Sequence, residues 1–115
     1  MRNLTKGMKD LPNHDIESIA FQIISYVGSA KSLALEALYA AKEGDFKLAE
    51  EKLEESRIKF VEGHRVHTTL IQCEAAGEKL DFSLLLMHAE DQLMNAETVR
   101  ELVKEMIELY RRIDS

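Results

Sequence analysis

Apolar side chains recur every three or four positions through three long blocks of this chain, and the recurrence breaks twice, each time at a glycine. That is the helix period, so the blocks predict helices and the breaks predict turns. In the first block Ile16, Ile19, Ala20, Ile23, Ile24, Val27, Ala30, Ala34, Leu38 and Ala41 share a face. Gly44 stops it, because glycine takes the left-handed C′ conformation at little cost, and Asp45 follows as an N-cap for the next helix. The second block puts Phe46, Ala49, Leu53, Phe60, His64, Ile71 and Ala75 on one face, with the charged run from Glu50 to Glu55 as a solvated one, and ends near Gly77. After "GEKLD", Asp81 or Ser83 caps a third helix with the stripe Leu84, Met87, His88, Asp91, Met94, Asn95, Thr98, Leu102, Met106, Leu109 and Ile113. Short links make successive helices antiparallel. The expected fold is therefore all-α: an up-down-up three-helix bundle over about 16–43, 45–76 and 82–113, behind a loose N-terminal arm at 1–14.

Composition narrows the function. The 115 residues fit one domain, and 45% hydrophobic with 31% charged residues and a single proline match a helical globular chain. A formal charge of -6 argues against nucleic acid or an anionic membrane surface as the main partner and favours basic ones. The lone Cys73 cannot form an internal disulfide, which suits a reducing compartment, and it reads as a buried small hydrophobe. The start, "MRNLTKGMKDLPNHD", has no apolar run that would serve as a signal-peptide core, and no stretch approaches the ~20 apolar residues of a membrane span. A cytoplasmic protein is expected.

The third helix carries the chemistry. His88 and Asp91 occupy positions where its stripe asks for leucine, so its inward face is expected to be half polar. Burying a carboxylate without a partner costs several kcal/mol. Either this face meets copies of itself around a symmetry axis, where Mg²⁺ or another hard cation neutralises several Asp91 carboxylates, or Asp91 faces a wet groove and pairs with a neighbour. His88 likewise reads as a structural histidine or a reactive one. Its place near the start of the helix favours an arriving phosphate, Asp91 and Gln92 at i+3 and i+4 are positioned to orient the ring and donate to an oxyanion, and neutral imidazole is a competent nucleophile.

The motif "MHAEDQLM", Met87 to Met94, resembles the helix-three motif M/V-H-[AG]-Q-D-H-L-M of the lactose/cellobiose-type enzyme IIA of the bacterial phosphoenolpyruvate-dependent sugar phosphotransferase system. Three further segments are similar in the same order: "GSAKS" (Gly28 to Ser32), "AKEGDF" (Ala41 to Phe46) and "GHRVHTTLI" (Gly63 to Ile71), with "RELVKEMIELYRR" downstream. The resemblance covers residues 16 to 113. It implies a homotrimer in which His88 accepts a phosphoryl group from the phosphocarrier HPr and passes it to a cysteine of enzyme IIB, which serves the membrane enzyme IIC. It also implies that Asp91 of each subunit binds a metal ion, Mg²⁺ by its chemistry, on the threefold axis. No nucleotide is required. The sugar, a β-linked disaccharide of the lactose, cellobiose or chitobiose type, is set mainly by the membrane partner.

Three positions depart from the family pattern. Gln92 replaces a second histidine, Glu90 replaces a glutamine, and His67 replaces the helix-two glutamine. Gln92 keeps an amide for a phosphoryl oxygen but loses a titratable donor, so slower or less stable phosphorylation is expected. Glu90 is expected to reach a neighbouring subunit and repel the incoming anion. The alternative function is a catalytically degenerate trimeric interaction or regulatory module of the same fold. A metal-storing bundle has a thinner ligand set: His64 and His67 are spaced to share a zinc ion only if a third ligand arrives, and helix packing accounts for them better. The series Met87, Met94 and Met106 reads as core filling.

Overall fold

A computed structural model describes residues 13–114, with side chains from Ile16. Three helices follow one another: α1 (Asn13–Lys42), α2 (Phe46–Ala75) and α3 (Leu84–Asp114). The arm expected over 1–14 lies outside the described residues, except that Asn13 and His14 already belong to α1.

Both turns close as the glycines require. At the first, Gly44 takes φ +84°, its N–H donates to the Ala41 carbonyl at 2.9 Å, and the Asp45 N–H donates to that of Ala40 at 2.9 Å. Asp45 then caps α2 by accepting from the Leu48 N–H at 3.1 Å. The second turn repeats the pattern: Gly77 has φ +95°, its N–H reaches the Glu74 carbonyl at 3.0 Å, and that of Glu78 reaches Cys73 at 3.1 Å. In each case the bond pair satisfies carbonyls the helix end would otherwise leave open.

Helix α1 is the spine, packing along its length against both α2 and α3. Its buried residues Ile16, Ala20, Ile23, Val27, Ala30, Ala34, Ala37 and Ala41 alternate steps of four and three, a heptad rhythm. At one end Ile16, Ala20, Ile23 and Val27 pack with Leu70, Leu86, Ala89 and Leu93. At the other, alanines 34, 37, 40 and 41 meet Ala49, Val103 and Ile107.

The buried line of α2 differs from the expected one. It runs Ala49, Ser56, Gly63 and Leu70, one residue every seven, with Cys73 beyond, whereas His64, Ile71 and Ala75 are exposed. Small residues lead because α1 and α2 approach closely: a Cβ on Gly63 would lie 2.7 Å from Val27 Cγ1 and 3.2 Å from Tyr26 Cβ. A reading by hydropathy favours the large residues, and the tight seam selects the small ones. Cys73 is wholly buried, and burial pushes its thiol up.

Helix α3 meets α2 mainly through long polar side chains. His67 reaches Glu90 at 2.6 Å, Arg100 Nε donates to Ser56 Oγ at 2.9 Å, and Arg111 donates to Glu50 at 2.5 Å. The α2 numbers fall as the α3 numbers rise, which fixes these helices as antiparallel. Among the described residues no helix is long and apolar enough to cross a membrane.

Candidate functional site

Ser83 starts the helix that bears the site. Its hydroxyl accepts from the Leu86 N–H at 3.0 Å and its carbonyl from the Met87 N–H at 3.0 Å, so Ser83 is the cap and His88 falls in the second turn.

From there α3 carries two apolar stripes. Leu86, Ala89, Leu93, Ala96, Val103 and Ile107 are buried against the other helices. The stripe expected to face inward does not: Leu84 is 81% exposed, Met94 60% and Ile113 76%, and Met87, Leu102, Met106 and Leu109 are open as well. The methionine series therefore fills no core within the chain. Alanines 89 and 96 pack with Ile16, Ala20, Ile23 and Val27 of α1, and the bulkier stripe is turned outward.

His88, Asp91, Asn95 and Thr98 all lie on this outward stripe and are exposed. Within one chain Asp91 is solvated, so the burial cost expected for it does not arise. His88 and Asp91 share an open depression with Leu84, Leu85, Met87, Glu90 and Met94. Gln92, one turn beyond His88, is half-buried. Such a site encloses nothing: it presents an imidazole on an apolar rim to whatever docks there.

Glu90 and His67 are found together. His67 Nε2 lies 2.6 Å from Glu90 Oε1, and the imidazole side chain is only 13% exposed. The Glu90 carboxylate is thus engaged inside its own chain, on the α2 side, in place of the expected reach toward a neighbouring subunit. Two of the positions at which the sequence departs from the motifs it resembles thus pair with each other. His64 is exposed, with its ring centroid 6.1 Å from that of Phe60.

Sequence reasoning missed Arg100. It is 6% exposed, its Nε is held by Ser56, whose hydroxyl donates to the Ala30 carbonyl at 2.6 Å, and its guanidinium lies 5.3 Å over the Phe60 ring. Burial holds its pKa below the usual arginine range. The available signal was heptad spacing, which aligns Ser56 with Ala49 and Gly63, and Arg100 with Leu93 and Ile107.

The described residues hold no group of three or more His, Cys, Asp or Glu side chains able to bind a metal ion. A single chain offers Asp91 alone, one hard oxygen donor group on an exposed face. That donor fits a cation such as Mg²⁺ only where several copies converge.

Fold and site together define a three-helix bundle with an exposed imidazole on an unpaired apolar helix face. Residues 18–111 match the lactose/cellobiose-specific IIA subunit family of the PTS system. The lichenan-specific phosphotransferase enzyme IIA component of Bacillus subtilis is 46% identical over 101 residues, covering 88% of this chain and 92% of that protein. The cellobiose-specific enzyme IIA of Bacillus anthracis superposes with a TM-score of 0.83 at 46% identity, over 84% of this chain and 89% of that one. The IIA(chitobiose) chain solved in complex with HPr from Escherichia coli gives a TM-score of 0.76 at 39% identity, over 86% and 96%. The chain belongs to the lactose/cellobiose-specific IIA family of the phosphotransferase system, whose members are phosphotransferase components carrying phosphohistidine.

Proposed function

We propose that this protein is a cytoplasmic phosphoryl carrier that accepts the group from phospho-HPr on His88 and passes it to the cysteine of an enzyme IIB, for uptake of a β-linked disaccharide through the membrane enzyme IIC. The observation that carries the reading is the exposure of His88 on the unpaired face of α3, within the residues 18–111 that match the family model. A relative solved with HPr supports the donor.

The protein's part in transfer is presentation. An imidazole nitrogen of His88 attacks phosphorus as the bond to the donor breaks, and the reverse exchange hands the group to the thiolate of the acceptor. The transition state is loose, so a held nucleophile and donors for the phosphoryl oxygens supply most of what is needed. Gln92, at i+4, has an amide suited to one of those oxygens. The outward stripe of α3 supports association of three copies along it, with Asp91 of each subunit holding a divalent ion, Mg²⁺ by donor chemistry. The ion would offset carboxylates brought together at the axis.

The test uses phosphoenolpyruvate, enzyme I and HPr, with intact mass as the readout. The chain should gain one phosphoryl group, and His88→Ala should gain none. If wild type stays unlabelled by competent HPr of its own organism, the carrier reading fails and the trimeric interaction module replaces it.

A further inference from the structure

Glu90 borders two surfaces. It lines the open depression that holds His88 and Asp91, and also a hollow on the α2 side with Leu70, Glu74 and Leu86. His67 settles which of them receives the charge, holding Oε1 at 2.6 Å on the α2 side. On the helix Glu90 lies about 200° round from His88, and its three side-chain torsions would let a released carboxylate swing back to the rim of the depression. Among the described residues no lysine or arginine lines that depression to offset such a charge.

We propose that His67 is a positioning residue for phosphoryl acceptance: it sequesters the Glu90 carboxylate on the α2 side, so that its charge is kept off the rim where a phosphoryl anion arrives at His88. The proposal rests on His88 as the acceptor. It makes Glu90 harmless only while His67 is present.

Phosphoramidate tests this without any carrier protein. A His88 nitrogen attacks phosphorus, the phosphorus–nitrogen bond of the reagent breaks, and its nitrogen leaves as ammonia with its own protons. Initial rates would be followed at His88 by mass mapping of the labelled full chain after digestion, for wild type, His67→Ala, Glu90→Gln and the double variant, with His67→Leu in parallel as a volume-keeping substitute. His67→Ala should slow labelling about three- to tenfold, the size of one extra charge at ~8 Å in a partly solvated site. Adding Glu90→Gln should return the rate to within about twofold of Glu90→Gln alone, and salt should shrink the loss in His67→Ala. Lost packing would give neither result, since alanine at 67 makes no hydrogen bond to either residue at 90. A wild-type rate in both His67→Ala and His67→Leu overturns the proposal, as does a double variant as slow as His67→Ala. Wild type labelled by phosphoramidate but not by phospho-HPr would refute the carrier reading and leave His67 its role. A His88 that phosphoramidate does not label overturns the proposal, and the carrier reading falls with it only if phospho-HPr also leaves His88 unlabelled.

Discussion

The seam between α1 and α2 and the seam between α2 and α3 are built from opposite materials. The first is dry and close, with Gly63 against Val27 and Ala49 among the alanines of α1. The second is bridged by His67–Glu90, Ser56–Arg100 and Glu50–Arg111. Small residues let backbones touch and leave van der Waals contact to hold them, which rewards proximity but tolerates sliding. Directional polar pairs tolerate distance but not a shift in register. One seam sets how closely the bundle packs, and the other sets where His88 stands along it.

Gly63→Leu should break the dry seam outright. Its side chain has no room beside Val27, and unfolding in urea should show a loss of about 3 kcal/mol. Ser56→Ala attacks a residue whose hydroxyl bonds across both seams. It removes the acceptor of a buried guanidinium N–H, which should cost about 2 kcal/mol, and pairing it with Arg100→Met should recover most of that because neither polar group is then stranded. Glu50→Ala removes only a partly exposed ion pair, worth about 0–1 kcal/mol. Arg111→Ala should exceed it slightly, since that guanidinium also lies 4.9 Å over the Phe46 ring. Leu102→Lys lies outside both seams and should leave the fold of the single chain unchanged by circular dichroism. On the proposed trimer, sedimentation should nevertheless show the mass falling from three chains to one.

Much of this was legible in advance. The helix count, both glycine turns and the Asp45 cap follow from local chemistry, which a sequence carries within a few residues. The choice of buried face is not local. On α3 two apolar stripes compete, and the winner is decided by the α1 residues opposite it: Ile16, Ala20, Ile23 and Val27 against Ala89, Leu93 and Ala96, and alanines 34, 37, 40 and 41 against Val103 and Ile107. The same holds for α2, where Ser56 and Gly63 look like surface residues until Val27 is placed against them. His88, Asp91 and Gln92 stood out by motif, but that they face outward, and that Glu90 has its partner in His67, required the helices to be assembled.

Cys73 makes the chain its own stopwatch. The thiol lies fully inside, at the last turns of α2 before the connection to α3, and burial disfavours its thiolate. A thiol reagent can react only when that end of the bundle opens, so the labelling rate, divided by that of the unfolded chain, reads the free energy of opening. Donor docking on α3 should slow it if the end that bears His88 tightens in the complex. The lone cysteine would then report, with no engineered residue, how much docking stabilises that end of the bundle.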